Sequence, residues 1–164
     1  APMSVQENLV ASNIDSFARK NRIIDLKKTR EHSRELIRKF SVKAPNENTI
    51  IRNLSGGNIQ KVIVAREFSA GSSLLVLDQP TRGIDVGAIS FIHEKILEMR
   101  QAGSGILLVS ADLNELIALS DRILVIFKGE LVAELDNTIP ADEKEIGLYM
   151  LGLKRQRIME GEGV

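Results

Sequence analysis

Leu54-Ser55-Gly56-Gly57-Asn58-Ile59-Gln60-Lys61 is followed shortly by Leu74-Leu75-Val76-Leu77-Asp78-Gln79-Pro80-Thr81. The first stretch reads as a turn opening a helix. Glycines let a backbone approach an anion closely, and the first turn of the following helix aims unpaired amides and a partial positive charge at it. The helix dipole contributes about 0.3–1 kcal/mol, so an anion seated there must be held mainly by other groups. The second stretch is an apolar strand ending in a carboxylate. Hydrophobic neighbours fix such a group in place, and Asp78 can then hold magnesium through water. Neither stretch is specific alone, because adjacent glycines occur in ordinary turns and many strands end in Asp. Their order and spacing make the pair informative.

Working outward from this pair, the chain changes character at Asn58. Ser4-Val5-Gln6-Glu7 has the form of a capping box, and Val10, Ile14 and Phe17 follow at helical spacing. A second helix is expected over about 23–40, with Leu26, Leu36, Ile37 and Phe40 as buried candidates. Ala44-Pro45-Asn46-Glu47-Asn48 is turn chemistry. No strand is expected before residue 50. From Asn58 a helix should run to about Ser69, with Gly71 as its terminator. Leu74–Leu77, Ile106–Val109 and Ile123–Phe127 are nearly continuous aliphatic runs, the pattern of strands buried on both faces of a parallel sheet. Asp85 can cap a helix carrying Ile89, Ile92, Ile96 and Met99. Asp112, with Glu115 three residues on, can cap the next. Lys128-Gly129-Glu130 turns into Leu131–Leu135, an expected antiparallel strand. A last helix is expected over about 141–151, and Lys154–Val164 is polar and expected to fray.

Composition narrows the function classes. The 164 residues are 43% hydrophobic but only 4% aromatic, so the core is aliphatic. Lys+Arg 22 balances Asp+Glu 22, which argues against binding nucleic acid by bulk charge. There are no cysteines, hence no disulfides or thiolate metal sites, and the composition suits a reducing compartment. No apolar run approaches the ~20 residues that cross a bilayer, and the N-terminus lacks a signal-peptide pattern. Any membrane role must come through a partner. His93-Glu94 has no second histidine at metal-binding spacing, and His32 stands alone on a charged helix, so both read as solvated. Lys27-Lys28 and Arg30 read as a solvated helix face.

The two opening stretches, in this order, resemble the signature and Walker B motifs of the ATP-binding cassette family. The resemblance runs from about Met3 to Gly152. The Gly-Gly-Asn-x-Gln-Lys form of the signature, with Gln79-Pro80-Thr81-Arg82-Gly83-Ile84-Asp85-Val86-Gly87-Ala88, is most similar to the second cassette of bacterial importers of simple sugars and nucleosides. The implied fold is α/β: a partial P-loop NTPase-type parallel sheet with helices, preceded by an α-helical subdomain. Its parts are a helical subdomain at 1–57 ending in the signature, the Walker B half of an ATPase core at 58–152, and a polar tail at 153–164. The resemblance implies ATP and Mg2+ as cofactors, with Ser55, Gly56, Gly57 and Asn58 meeting the γ-phosphate of a nucleotide held by a second cassette. It also implies Asp78 on the metal through water, Asp85 as the D-loop aspartate, and membrane permease subunits as partners. The location implied is the cytoplasmic face of the plasma membrane.

The chain departs from the family pattern in three ways. Gln79 stands where the family places Glu to polarise the attacking water. An amide takes up no proton at neutral pH, and loss of a general base typically costs about 10²–10⁴ in rate. Ala111 stands where a switch histidine contacts the γ-phosphate. Gln79 alone reads equally as a substitution introduced to trap ATP; the two losses together fit a naturally degenerate site better. Third, no Gly-x-x-x-x-Gly-Lys-[Ser/Thr] occurs. In the family, the P-loop strand lies between the strands corresponding to Ile106–Val109 and Ile123–Phe127. Unsatisfied buried backbone groups cost about 1–3 kcal/mol each, so the expectation is a fragment of a longer polypeptide whose sheet rearranges or which self-associates. By itself it should neither hydrolyse ATP nor bind it tightly.

Two other function classes remain open at this point. A non-transport cassette ATPase would usually carry long coiled-coil arms or basic inserts, which are absent. A non-catalytic interaction module would suit the missing P-loop and lost base.

Overall fold

The structure is a computed structural model that describes residues 3–19, 22–138 and 141–156. Two compact units divide the chain, Ala1–Leu107 and Leu108–Val164.

The first unit opens with α1, Val5–Val10, where Ser4 and Glu7 form the expected reciprocal capping box. Six residues are too few to be helical in isolation; α1 is held by packing against α2, Leu26–Lys39, and α3, Gly56–Phe68. Val5, Leu9 and Val10 are buried there with Leu36, Phe40, Val62 and Ala65. Full burial of each large aliphatic side chain stabilises by about 1.5–3 kcal/mol. Asp25 caps α2 by accepting from the Lys27 and Lys28 amides. A 3-10 segment, Ala11–Phe17, links α1 to the turn before α2. Two of the candidate core positions are corrected: Ile14 and Leu26 are exposed. Ile14 lies on the 3-10 segment, where the 3.6-residue spacing used to choose it does not hold. Leu26 is the first residue of α2 and faces away from α1 and α3. His32 is also not solvated; it is half-buried with its ring 5.0 Å from that of Phe17.

Beyond α3 come β1, Leu74–Asp78, then α4, Val86–Gln101, and β2, Gly105–Val109. β1 and β2 are neighbours in one sheet, and the helical crossover between them is the connection parallel strands need. Ile92 and Ile96 of α4 are fully buried. The expectation of strands buried on both faces is overturned. Burial alternates along each strand, and Val76 is 64% exposed beside an exposed Leu74 and Leu107. Among the described residues nothing covers that second face, so a sequence suited to a two-sided core presents an apolar side to solvent.

The second unit carries α5, Leu113–Leu119, capped by Asp112 as expected, then β3, Arg122–Phe127, and β4, Glu130–Asp136. β3 and β4 form the anticipated antiparallel hairpin, with a register shift between Val125 and Ile126. The four strands therefore make two separate two-stranded sheets. One face of the hairpin packs Ile123, Val125, Val132 and Ala133 onto Ile146 and Tyr149 of α6, Glu143–Met150. The other leaves Leu124 and Ile126 exposed. At Gly152, φ is +70° and an added Cβ would collide with the Phe127 ring, so glycine is required there. The described part of the C-terminal stretch is not frayed. The Gln156 amide donates to the Val132 carbonyl at 2.8 Å, its side-chain oxygen accepts from the Glu134 amide, and Arg155 pairs with Glu130. Residues 157–164 of the expected polar tail lie outside the described residues.

Candidate functional site

The candidate site in the first unit begins at the N-terminus of α3. Ser55 is its N-cap with extended backbone, and its hydroxyl makes no capping bond. Ser55 and Gly56 are exposed. Among the described residues, no group accepts from the amides of Gly56, Gly57 or Asn58; the first bonded amide is Ile59, which donates to the Ser55 carbonyl. A 13-residue helix thus begins with a row of N–H groups that have no acceptor among the described residues, exposed at Gly56, half-buried at Asn58 and buried at Gly57. Free amides at a helix start are the arrangement that binds phosphate. Asn58 is more committed than its neighbours. Its Oδ1 accepts from the Lys43 amide at 2.7 Å and its Nδ2 donates to Ser55 Oγ at 2.9 Å. That closes the turn and leaves the Asn58 backbone amide as the group presented.

Asp78 is exposed at the end of β1, where the strand carries its carboxylate out of the sheet. No cluster of three or more His, Cys, Asp or Glu occurs among the described residues. One carboxylate is a poor magnesium site, since that ion keeps water and takes phosphate oxygens as ligands. Asp78 therefore fits as one contributor alongside a bound triphosphate. Gln79 follows with φ of +49°, a left-handed conformation costing a non-glycine residue on the order of 1–3 kcal/mol. Surrounding contacts must hold it.

Asp85 performs the capping role considered for it. Its Oδ1 accepts from the Ala88 amide at 2.9 Å, capping α4. Its other oxygen lies 2.9 Å from where a Cβ on Gly57 would sit, with Ala88 Cβ at 3.1 Å. The Asp85 turn thus lies close to the glycine turn of α3, and a side chain on Gly57 would force the Asp85 carboxylate and the Ala88 methyl to give way. Ala111 lies in the second unit, exposed after β2. The adjacent Ser110 hydroxyl accepts from the Asp112 amide at 3.0 Å.

Sequence reasoning missed two features. Gln60 donates from Nε2 to the Pro80 carbonyl at 2.7 Å, tying α3 to the loop after Asp78. Its position three residues after Gly57, on the same side of the helix, was the available signal. Glu47, read only as part of a turn, is 4% exposed. It takes a two-pronged contact from Arg34 at 3.0 and 3.1 Å, with Arg30 at 3.4 Å. The Arg34 guanidinium holds its carboxyl below the usual carboxylate value. Arginines one turn apart on α2 were the cue.

Comparison with known proteins gives a consistent picture. No family model matches the chain. It is 46% identical over 131 residues to the guanosine import ATP-binding protein NupO of Bacillus subtilis, covering 80% of this chain and 26% of that protein. It is 49% identical over 133 residues to the glucose import ATP-binding protein TsgD13 of Haloferax volcanii, covering 79% and 24%. Identity is 38% over 151 residues to the ribose import ATP-binding protein RbsA of Clostridium perfringens, covering 92% and 30%. The chain therefore spans between about a quarter and a third of these relatives' length. Its fold is similar to part of a dimeric, post-hydrolysis ATP-binding cassette, MJ0796, bound to ADP and Pi (TM-score 0.70, 22% identity, 84% of this chain and 58% of that one). A nucleotide-free cassette from an ABC transporter gives TM-score 0.69 at 22% identity, covering 90% and 63%. The α/β class expected from sequence is borne out.

Proposed function

We propose, from the premise that this chain belongs to the ATP-binding cassette family, that it serves in the energising ATP-binding subunit of an importer of simple sugars or nucleosides. The observation that carries this reading is the first turn of α3, exposed at Ser55 and Gly56, whose Gly56, Gly57 and Asn58 amides have no acceptor among the described residues. That turn is placed to receive the γ-phosphate of a nucleotide whose P-loop belongs to a second cassette. Bound ATP with Mg2+ would supply the triphosphate that bridges the two cassettes. Ser55 adds a hydroxyl free of any capping bond, and the carboxylate of Asp78 orients metal-bound water. Gln79 orients without accepting a proton, and Ala111 offers no side chain to a phosphate. The site built on Asp78 should hold nucleotide and turn over slowly, while the Ser55–Asn58 turn still serves the partner site.

The names of the curated relatives, all import ATP-binding proteins for guanosine, glucose or ribose, support the importer reading over a non-transport cassette. Among the described residues no helix is long and apolar enough to cross a membrane. Attachment to the cytoplasmic face would then come through permease subunits. The zero net charge agrees with a protein that does not use nucleic acid.

Titration of the isotopically labelled chain with a P-loop-bearing cassette loaded with Mg-ATP tests the proposal. The Gly56, Gly57 and Asn58 amide resonances should move with ATP and stay with ADP, and Gly57→Asp should abolish the change. Amides of α3 that ignore the loaded cassette would remove the proposal's foundation.

A further inference from the structure

We propose that Gln60 is the positioning residue for Gln79. By holding the Pro80 carbonyl, it makes the amide-presenting turn of α3 and the carboxamide at the end of β1 move as one body. The inference rests on the reading above only for what Gln79 faces; the linkage itself is a property of this chain.

Gln60 lies one turn into α3, half-buried, and its Nε2 reaches across twenty positions of sequence to the Pro80 oxygen at 2.7 Å. Pro80 is buried and directly follows Gln79, whose φ is +49°. A residue with a Cβ leaves the left-handed region unless its surroundings over-determine it. Among the restraints on this one are three that bear on its backbone. The pyrrolidine ring fixes the Pro80 φ. The Arg82 amide donates back to the Gln79 carbonyl at 3.1 Å. Gln60 grips the Pro80 carbonyl from outside the loop.

The far end of the same loop also lies close to α3. Gly83 O lies 3.7 Å from the Cβ position of Gly56, and the Asp85 carboxylate lies close to Gly57. The loop from Gln79 to Asp85 is therefore hydrogen-bonded to α3 near one end and lies against the first turn of the same helix at the other. Reorientation of α3, as when an anion seats on its amides, reaches Gln79 through the Gln60 hydrogen bond and the close approach of the Asp85 turn without passing along β1. Of the two, only the Gln60 contact adjoins the left-handed residue, so its loss should release Gln79 while the Asp85 end keeps its position.

The experiment uses the full chain without nucleotide, labelled with nitrogen-15 and carbon-13. In the unmodified protein, a scalar coupling across the hydrogen bond is expected between Gln60 Nε2 and the Pro80 carbonyl carbon. Three-bond couplings and carbon shifts should report a left-handed Gln79. Gln60→Glu keeps the shape and helix propensity but has no N–H at neutral pH; in it Gln79 should lose the left-handed signature while the Ala88 amide resonance, at the Asp85 end, stays in place. Absence of the cross-bond coupling in the unmodified protein overturns the proposal, and this needs no variant to fold. A left-handed Gln79 persisting in folded Gln60→Glu overturns it equally. Neither measurement involves a second cassette, so the linkage and the phosphate-receiving role of α3 fail or stand separately.

Discussion

At Asp85 a single carboxylate caps α4 with one oxygen and abuts Gly57 with the other. The sequence suggested the cap; the approach to Gly57 emerges only from the structure, and this makes Gly57 testable. Gly→Ala within a helix is ordinarily stabilising by about 0.5–1 kcal/mol. Here the new methyl would sit 2.9 Å from the Asp85 oxygen, closer than side-chain atoms pack, and would displace a cap worth ~1 kcal/mol. Because Gly57 lies in the first turn, its propensity gain is small and the cap loss wins. Gly57→Ala should destabilise by about 1 kcal/mol in urea denaturation. In an Asp85→Ala background the same change should cost less, because only the Ala88 methyl at 3.1 Å still has to give way. Stabilisation by Gly57→Ala alone would mean that the two turns do not meet.

Among the elements, α2 shows how much a charged helix conceals from sequence inspection. Arg30, with Lys27 and Lys28, reads from sequence as a solvated face, yet Arg30 and Arg34 converge on the buried Glu47. The Glu47 carbonyl also accepts from the Gln6 amide, so this turn links α2 to α1. Hydrogen bonding from Arg34 is the leading cause of the lowered Glu47 carboxyl pKa, followed by a backbone hydrogen bond. A carboxyl lowered on folding contributes stability that is complete above its unfolded value, near 4.5. That stability fades as pH falls through the lower folded value. Stability should therefore decline with acidification below about pH 4.5, and Glu47→Gln should flatten that decline while costing stability at pH 7. Parallel pH curves for the two proteins would remove Glu47 from the account.

The molecule as a whole pairs strands written for a two-sided core with only one covered face. In the first unit Leu74, Val76 and Leu107 are exposed, and in the second Leu124 and Ile126. Exposed apolar sheet of this kind drives association or covering by other chain segments. Sedimentation of the 164-residue chain should show concentration-dependent self-association; a strictly monomeric species at high concentration would contradict this. Calorimetry with Mg-ATP should give no micromolar binding, because a helix N-terminus contributes only about 0.3–1 kcal/mol toward an anion and micromolar affinity needs about 8 kcal/mol. Heat of binding at that affinity would point to a nucleotide pocket elsewhere in the chain.

Local chemistry was legible from the residues. Ser4 with Glu7, Asp25, Asp85, Asp112 and Asp142 all cap the helices that follow them. Of these, all but Asp25 and Asp142 were expected from the sequence. Capping needs only an acceptor a few atoms from its own backbone, so sequence by itself determined where these helices start and where the glycine turn and strand-end acid fall. What only the tertiary structure decided depends on groups distant along the chain: the Glu47–Arg34 pair, the Gln60 grip on Pro80, and the one-sided covering of the strands. An aliphatic run records how apolar a strand is, but whether its second face is covered depends on which other segments pack against it.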